Sequence, residues 1–315
     1  MSQNVWRAWA RRAAMAPGAI YALIVLSLIF SLFTAQFLTL PNLANVGMQA
    51  AVLVIVSLGM TLIILSEGID LSLGPILGLA GVILALCVRQ QMALPLAILL
   101  AILVGAAFGA LNGVLIAHLD LPPFVVTLGS FGMAQGLALV LTEGASVPGM
   151  GVGIQYFNDG VIAGLPVPIV MTAITFLVIY VLLYYTKFGT YVFALGGNQE
   201  ALALAGVPAR LYKAGVYVLG GALAGIGALV MTARMNAAHP TVGVGLEFDA
   251  IASVILGGTS FERGKGWIGG TLIGVAAVSV LRNGLNLIGL STSWQVSMVG
   301  TVIILAIVVD ALRGI

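Results

Sequence analysis

This chain is a succession of apolar runs, most of membrane length, with most of the charged residues held at the junctions between them, and that pattern leaves few folds open to it. The first run, from Ile20 to Leu38, is followed by others near 44–66, 72–88, 93–117, 124–142, 166–186, 214–235, 247–258, 268–289 and 295–312. A helix needs about 20 apolar residues to cross the hydrocarbon layer, so the pattern predicts ten spans, with 247–258 short enough to be re-entrant. Only 7% of the residues are charged and the mean hydropathy is +1.18, so no soluble domain of this composition could clothe its own surface. Lipid offers the backbone no hydrogen-bond partners, and runs of this length satisfy it as helices. The expected fold is therefore an all-α integral membrane protein, with a tail over 1–17 and a single transmembrane domain over 18–315. Arg7, Arg11 and Arg12 ahead of an apolar run resemble a signal peptide, but the run is too long for one and lacks a clean cleavage signal. It reads as an uncleaved first span.

Basic residues orient the spans. With the N-terminus inside, Arg7, Arg11, Arg12, Lys187, Arg210, Lys213, Arg263, Lys265 and Arg313 fall on the cytoplasmic side, against Arg89, Arg234 and Arg282 outside or at outer helix ends. Arg282 reads as a snorkelling side chain at such an end. A formal net charge of +2 without a basic stripe excludes a nucleic-acid partner. The single cysteine, Cys87, lies in an apolar run and reads as a small buried hydrophobe, not as half of a disulfide or a metal ligand. The 41 glycines sit inside apolar segments, as at Gly220, Gly221, Gly225 and Gly227, where small side chains let membrane helices pack closely.

Between two long spans, Leu195–Lys213 breaks the pattern. Gly196, Gly197 and Asn198 form a turn, Asn198 is a good N-cap, Glu200 sits where the helix dipole favours an anion, and Gly206 and Pro208 stop the helix. Ala201, Leu202, Leu204 and Ala205 leave a small, smooth apolar face on the cytoplasmic side. That face suits equally a lid on the headgroup layer and a docking surface. The longest polar stretch, Thr142–Gly164, falls outside and reads as a connector.

The chain also echoes itself. Gly68-Ile-Asp70-Leu-Ser-Leu-Gly is loosely matched by the segment from Gly245 through Asp249 to Gly257, and Asn112-Gly113 with Gly129 by Asn283-Gly284 with Gly300. These matches equate the second span with the seventh, so the halves run in opposite directions, as in the inverted repeats of many transporters. Glu67, Asp70 and Asp249 stand at span breaks and are candidates for a pathway lining or hinge. For Asp70, capping is preferred to substrate contact, because Asp70-Leu-Ser72 is a fair N-cap sequence and Pro75 suits a first helical turn. Asn112, Asn283 and Asn286 read as interhelical hydrogen-bonding groups or pathway candidates. No catalytic constellation or metal site is visible: His118 and His239 are far apart, and Gly257–Gly266 lacks the Ser/Thr of a phosphate loop. Any ATP consumed in transport is hydrolysed by another chain.

A set of motifs resembles the membrane permeases of ribose-type ABC sugar importers, the branch that includes transporters for ribose, xylose, arabinose, galactose and related solutes. They are Gly59-Met-Thr-Leu, Glu67-Gly-Ile-Asp70-Leu-Ser72-Leu-Gly74, Pro123-Phe-Val-Val-Thr-Leu128, Ala194-Leu-Gly-Gly-Asn198 with Ala203 and Gly206-Val, Phe248-Asp-Ala-Ile-Ala252, Leu256-Gly-Gly-Thr-Ser260 with Gly264-Lys-Gly266, and Asn283-Gly-Leu-Asn-Leu287. The chain departs from the usual pattern at Glu67-Gly68, where two glycines are commoner, and at Phe261-Glu-Arg263. The resemblance implies a multi-pass permease of the bacterial inner membrane, not an enzyme. Its implied partners are a second permease copy, a cytoplasmic ABC ATPase that carries ATP and Mg, and a periplasmic or lipid-anchored solute-binding protein. It also implies a coupling helix over about 195–213, with Asn198, Glu200, Ala201, Ala205 and Gly206 as ATPase-facing residues. Three other readings stand beside the sugar permease. One is a related permease for nucleosides, branched-chain amino acids or a sugar-like signal. Another is an ion-coupled transporter using Glu67, Asp70 and Asp249, and the last is a membrane scaffold without transport.

Overall fold

A computed structural model describes residues 18–261, 264–291, 293–301 and 304. The tail with Arg7, Arg11 and Arg12, the loop residue Arg263, most of the span expected at 295–312, and Arg313 lie outside the described residues. The elements in order are α1 (Gly18–Phe33), α2 (Leu40–Leu65), α3 (Leu73–Arg89), α4 (Leu94–His118), α5 (Pro123–Thr142), β1 (Val147–Pro148), α6 (Gly151–Asp159), β2 (Val161–Ile162), β3 (Leu165–Pro166), α7 (Val167–Tyr185), α8 (Lys187–Leu204), α9 (Ala209–Met235), β4 (Ala237–Ala238), α10 (Leu246–Leu256) and α11 (Ile268–Leu287). Residues 293–301 are also helical.

Among the described residues, six helices, α2, α4, α5, α7, α9 and α11, are long and apolar enough to cross a membrane. The shorter apolar helices are α3 and Ala19–Phe33 of α1. Proline in the first turn of α2, α4, α5 and α7 sets their starts, where its missing N–H costs no helical hydrogen bond. The polar stretch read as a connector is partly ordered: β1 pairs with β4 just after α9, α6 follows, and β2 and β3 form a hairpin.

The helices divide into pillars and rim. The most apolar window of α2 is 83% buried, and every residue from Ala51 to Leu65 lies inside. A helix apolar all round has no outward face, and this one is enclosed by α9, α11, α10 and α7. By contrast, α4, α5 and α7 are only 22–28% buried over their apolar windows and turn side chains such as Leu99, Leu103, Leu128 and Leu177 outward, the pattern of a lipid-facing rim.

Small residues bring pillar and rim together. Along the antiparallel pair α4 and α9, a β-carbon on Gly105 would strike the Gly221 carbonyl, one on Gly109 the Tyr217 carbonyl, and one on Gly221 the Gly105 carbonyl. Gly225 faces Ala101 and Ile102 in the same seam, and Gly113 faces Ala214. The four-residue spacing puts all these positions on one stripe of each helix. Gly59 of α2 meets the Cα of Gly220 from the other side of α9, and Gly257 and Gly274 join α10 to α11 in the same manner.

The seam is open to test. Gly221→Val drives a branched side chain into the α4 backbone, which costs at least the roughly 1–3 kcal/mol of an overpacked core. The thermal midpoint in detergent falls accordingly, whereas Gly129→Ala, where a β-carbon inside a helix meets nothing within 4 Å, does not lower it. Equal midpoints for the two variants would contradict the seam.

Candidate functional site

The stretch singled out after the α7 span lies at the end of the helices that carries Lys187, Arg210 and Lys213, here called the basic end. Helical hydrogen bonding runs along α8, but Asn198 interrupts the backbone with φ −165° and ψ 97°, dividing Lys187–Gly197 from a short helix at Gln199–Leu204. The Asn198 Oδ1 accepts the Ala201 amide at 2.8 Å, which is N-cap geometry. At the other end Gly206 adopts φ +80° and ends the turn, and α9 begins at Ala209. The helix is thus shorter than the implied range of about 195–213: it stops at Gly206–Pro208, where the sequence places the stop, and Arg210 and Lys213 beyond it belong to the next helix.

This short helix is held from below and bare above. Leu202 is buried with Leu195 and Ala209 against Tyr191, Val207 and Tyr212, and Lys213 Nζ donates to Gln199 Oε1 at 2.9 Å. Glu200, Ala201, Ala203, Leu204, Ala205 and Gly206 are exposed, Leu204 at 83%. Its lead-in, Gly196, packs backbone to backbone on Gly264 and on the carbonyl of Leu65, the last residue of α2. A movement of the short helix is therefore passed without a side-chain cushion to the end of α2 and to the loop before α11.

The second feature is a meeting of two helix starts in the interior. The first turn of α3 and the loop before α10 touch at Gly74 and Gly243, and a β-carbon on Gly78 would lie 3.1 Å from the Pro240 carbonyl. Asp70 organises the first start. Its Oδ1 accepts the Ser72 amide at 2.8 Å and the Ser72 hydroxyl at 2.5 Å, and its Oδ2 accepts Asn112 Nδ2 at 3.3 Å. Asn112 also donates to Ser72 Oγ at 2.9 Å and accepts the Ser130 hydroxyl, so α3, α4 and α5 share one buried network. Glu247, fully buried, sets one oxygen on the Gly245 amide at 3.0 Å and the other against the first turn of α3 at Gly74. The positive end of that helix offsets part of the cost of burying the carboxylate.

The third feature lies away from the basic end. A cavity of about 440 Å³ is walled by α2, the end of α9, the loop and start of α10, α11 and residues of 293–301, with Gln49, Arg234, Phe248, Asp249, Ser279 and Arg282 among its lining. Asp249 is 4% exposed and meets Arg282 Nη2 at 2.6 and 2.7 Å through its two oxygens. Arg282 thus turns inward to a carboxylate instead of snorkelling, because the first turn of α10 presents an anion at its level.

Of the candidates taken from the sequence, the structure joins Asp70 with Asn112, and places Asp249 at the cavity. Asn283 exchanges two hydrogen bonds with Asn42 of α2, at 2.9 and 3.0 Å, one residue from Arg282. Glu67 is exposed in a left-handed conformation (φ 57°) between α2 and Asp70. Asn286 does not join them: it is exposed near the end of α11, and no side-chain hydrogen bond ties it to another helix among the described residues. Sequence reasoning passed over Glu247, two residues before Asp249, and Gln49, Arg234, Phe248 and Ser279. The acidic pair in the first turn of α10 was the available signal for Glu247; the others come together only through folding.

Polar helix starts that meet in the interior of a helical membrane protein are an arrangement that transport proteins use. Residues 42–307 match the family described as branched-chain amino acid transport system / permease component, so the chain belongs to that permease family. It is similar to the ribose import permease protein of Escherichia coli strain K12, 40% identical over 93% of this chain and 92% of the relative, and to that of Bacillus subtilis strain 168, 39% identical over the same shares. The D-allose transport system permease protein of Escherichia coli strain K12 is 36% identical over 94% of this chain and 91% of the relative. No solved structure matches the chain.

The Asp70 network predicts a stability effect. Asp70→Ala removes the acceptor of three buried donors, and each orphaned group costs about 1–3 kcal/mol. Thermal unfolding in detergent shows a lower midpoint than for Glu200→Ala, an exposed change worth no more than roughly 0.5 kcal/mol. A fully stable Asp70→Ala protein that has lost transport would make Asp70 a pathway residue instead of a structural one.

Proposed function

We propose that this chain is the membrane subunit of an ATP-driven ABC importer for a monosaccharide or a closely similar polyol. The observation that carries the reading is similarity over more than nine-tenths of the chain to permease proteins named for ribose and allose.

The geometry supports a mechanism. The basic end faces the cytoplasm by the positive-inside rule, and the N-terminus lies on that side of the bacterial inner membrane. The helix from Asn198 to Gly206 docks in a cytoplasmic ABC ATPase, its small exposed Ala201, Ala203 and Ala205 allowing close approach and Glu200 standing beside them. ATP and Mg are held by that partner, which does the hydrolysis. When the two ATPase subunits close, they carry this helix with them. The backbone contacts of Gly196 then pull on Leu65 and on Gly264, and so on both loops that lead to the interior helix starts. The meeting of Gly74 and Gly243 is the place where the pathway parts.

The same arrangement supports an inverted repeat within about ten spans: Asp70 at one break bonds to Asn112, and Asp249 at the other bonds to the neighbour of Asn283. A second copy completes the translocation pathway, and a periplasmic or lipid-anchored binding protein delivers the solute. Ion coupling through Asp70 and Asp249 is disfavoured, since Asp70 is held by Ser72 and Asn112 and the charge of Asp249 is already paired with Arg282.

The test is to place a bulky charge on the docking face. Ala201→Glu or Ala205→Glu, both at exposed positions, leaves membrane insertion and thermal stability intact but lowers ATP-dependent uptake in proteoliposomes at least tenfold, the equivalent of about 1.4 kcal/mol of coupling. Unchanged uptake would remove this helix from the coupling path.

A further inference from the structure

The cavity beside α10 has a use that delivery by a binding protein leaves open: it is equipped to hold a sugar itself. Its volume of about 440 Å³ lies within the roughly 300–1,000 Å³ of small-molecule pockets, and a few polar side chains converge on otherwise apolar walls. The polar groups are of the kinds that recognise a neutral polyol. Asp249 offers a carboxylate for hydroxyl donors, Arg282 a fork of donors for hydroxyl oxygens, and Gln49 and Ser279 groups that both donate and accept. The carboxylate cancels the Arg282 charge, so the pair can bind a neutral solute without stranding an ion.

Two details show spare bonding capacity. Among the described residues only Nη2 of Arg282 is engaged, and its Nε, buried, has no hydrogen-bond partner. Asp249 meets a single cation with both oxygens, which leaves further lone pairs on each. Phe248, next in sequence to Asp249, is 49% exposed and lines the same cavity, giving a flat apolar surface for the carbon–hydrogen face of a sugar ring. Arg234, also lining it, supplies a further donor from the last turn of α9.

We infer that this cavity is a monosaccharide subsite within the membrane subunit, in which Asp249 and Arg282 clamp ring hydroxyls while Phe248 packs against the ring. The subsite rests on the importer reading and adds to it a selection step inside the permease. It holds the solute weakly, between release by the binding protein and passage through the meeting of α3 and α10. Because Asp249 stands in the first turn of α10, whose next-but-one neighbour Glu247 lies against Gly74, occupancy of the cavity is placed one helical turn from that meeting.

The test uses the detergent-solubilised full chain without any binding protein, with D-ribose, D-allose, D-galactose and the sugar acid D-galacturonate as probes in saturation-transfer NMR. The expected result is transfer to the ring protons of one or more neutral monosaccharides, reduced about tenfold or more by Phe248→Ala and by Arg282→Lys, the second keeping the charge but losing the fork. In proteoliposomes holding the complete transporter, the same variants lower uptake of that sugar while ATP hydrolysis persists. Transfer to galacturonate alone would overturn the inference, since it would make the cavity an anion site through Arg234 and Arg282. Absence of transfer to every neutral sugar, in a chain whose complex still imports one, would overturn the subsite and leave the importer reading standing. Failure of the complex to import any monosaccharide would overturn both.

Discussion

Direct backbone contact between helices holds this protein together. In a bilayer, lipid tails satisfy apolar side chains as well as another helix does, so the hydrophobic effect does little to hold helices to one another. Close approach through small residues does that work instead. The α4–α9 seam fixes the central helix; the contact of Gly74 with Gly243 brings two helix starts together; Gly257 and Gly274 seat α10 on α11; and Gly196 against Gly264 and Leu65 fastens the basic-end helix to the interior. The same contacts that hold the fold are those through which a displacement at one end reaches the other, because a carbonyl pressed on a Cα leaves no side chain to absorb it.

Given that frame, the buried polar groups become intelligible. A carboxylate in the hydrocarbon layer costs several kcal/mol unless it is paired or hydrogen-bonded. Each one here is met differently: Asp70 by the hydroxyl, amide and side-chain donors of Ser72 and Asn112, Asp249 by Arg282, and Glu247 by the Gly245 amide on one oxygen, the other lying without a hydrogen-bond partner against the start of α3. The first binds three helices into one unit. The second, partly exposed to a cavity through Arg282, keeps donors in reserve. Removing one member of a buried ion pair costs about 3–5 kcal/mol of stability, whereas removing a side chain that touches only the solute leaves the fold as stable as before.

How much of this stood in the sequence depends on how local the determinant is. The N-cap role of Asn198 and the stop at Gly206 are written in neighbouring residues, and the geometry has both; the extent of the helix was overdrawn because Arg210 and Lys213 belong to α9. The apolar runs announce a membrane protein, although length alone separates only six of the expected ten as full candidates among the described residues. The glycine stripes are visible as spacing, but not which carbonyl each one meets. Asp70 and Asn112 are 42 positions apart, and nothing in either neighbourhood names the other. The cavity is the extreme case: its lining comes from several helices, and Gln49, Phe248 and Ser279 look like ordinary members of their own elements.

Whether a separate ATPase drives this chain through the Asn198–Gly206 helix can be decided by extracting the tagged chain from its own host in mild detergent and identifying what co-purifies. The expected result is a stoichiometric P-loop ATPase that is lost when residues 198–206 are scrambled, while the chain itself remains folded in the membrane. A chain that purifies without any ATPase, and that still catalyses uptake in ATP-free vesicles, would contradict ATPase coupling altogether.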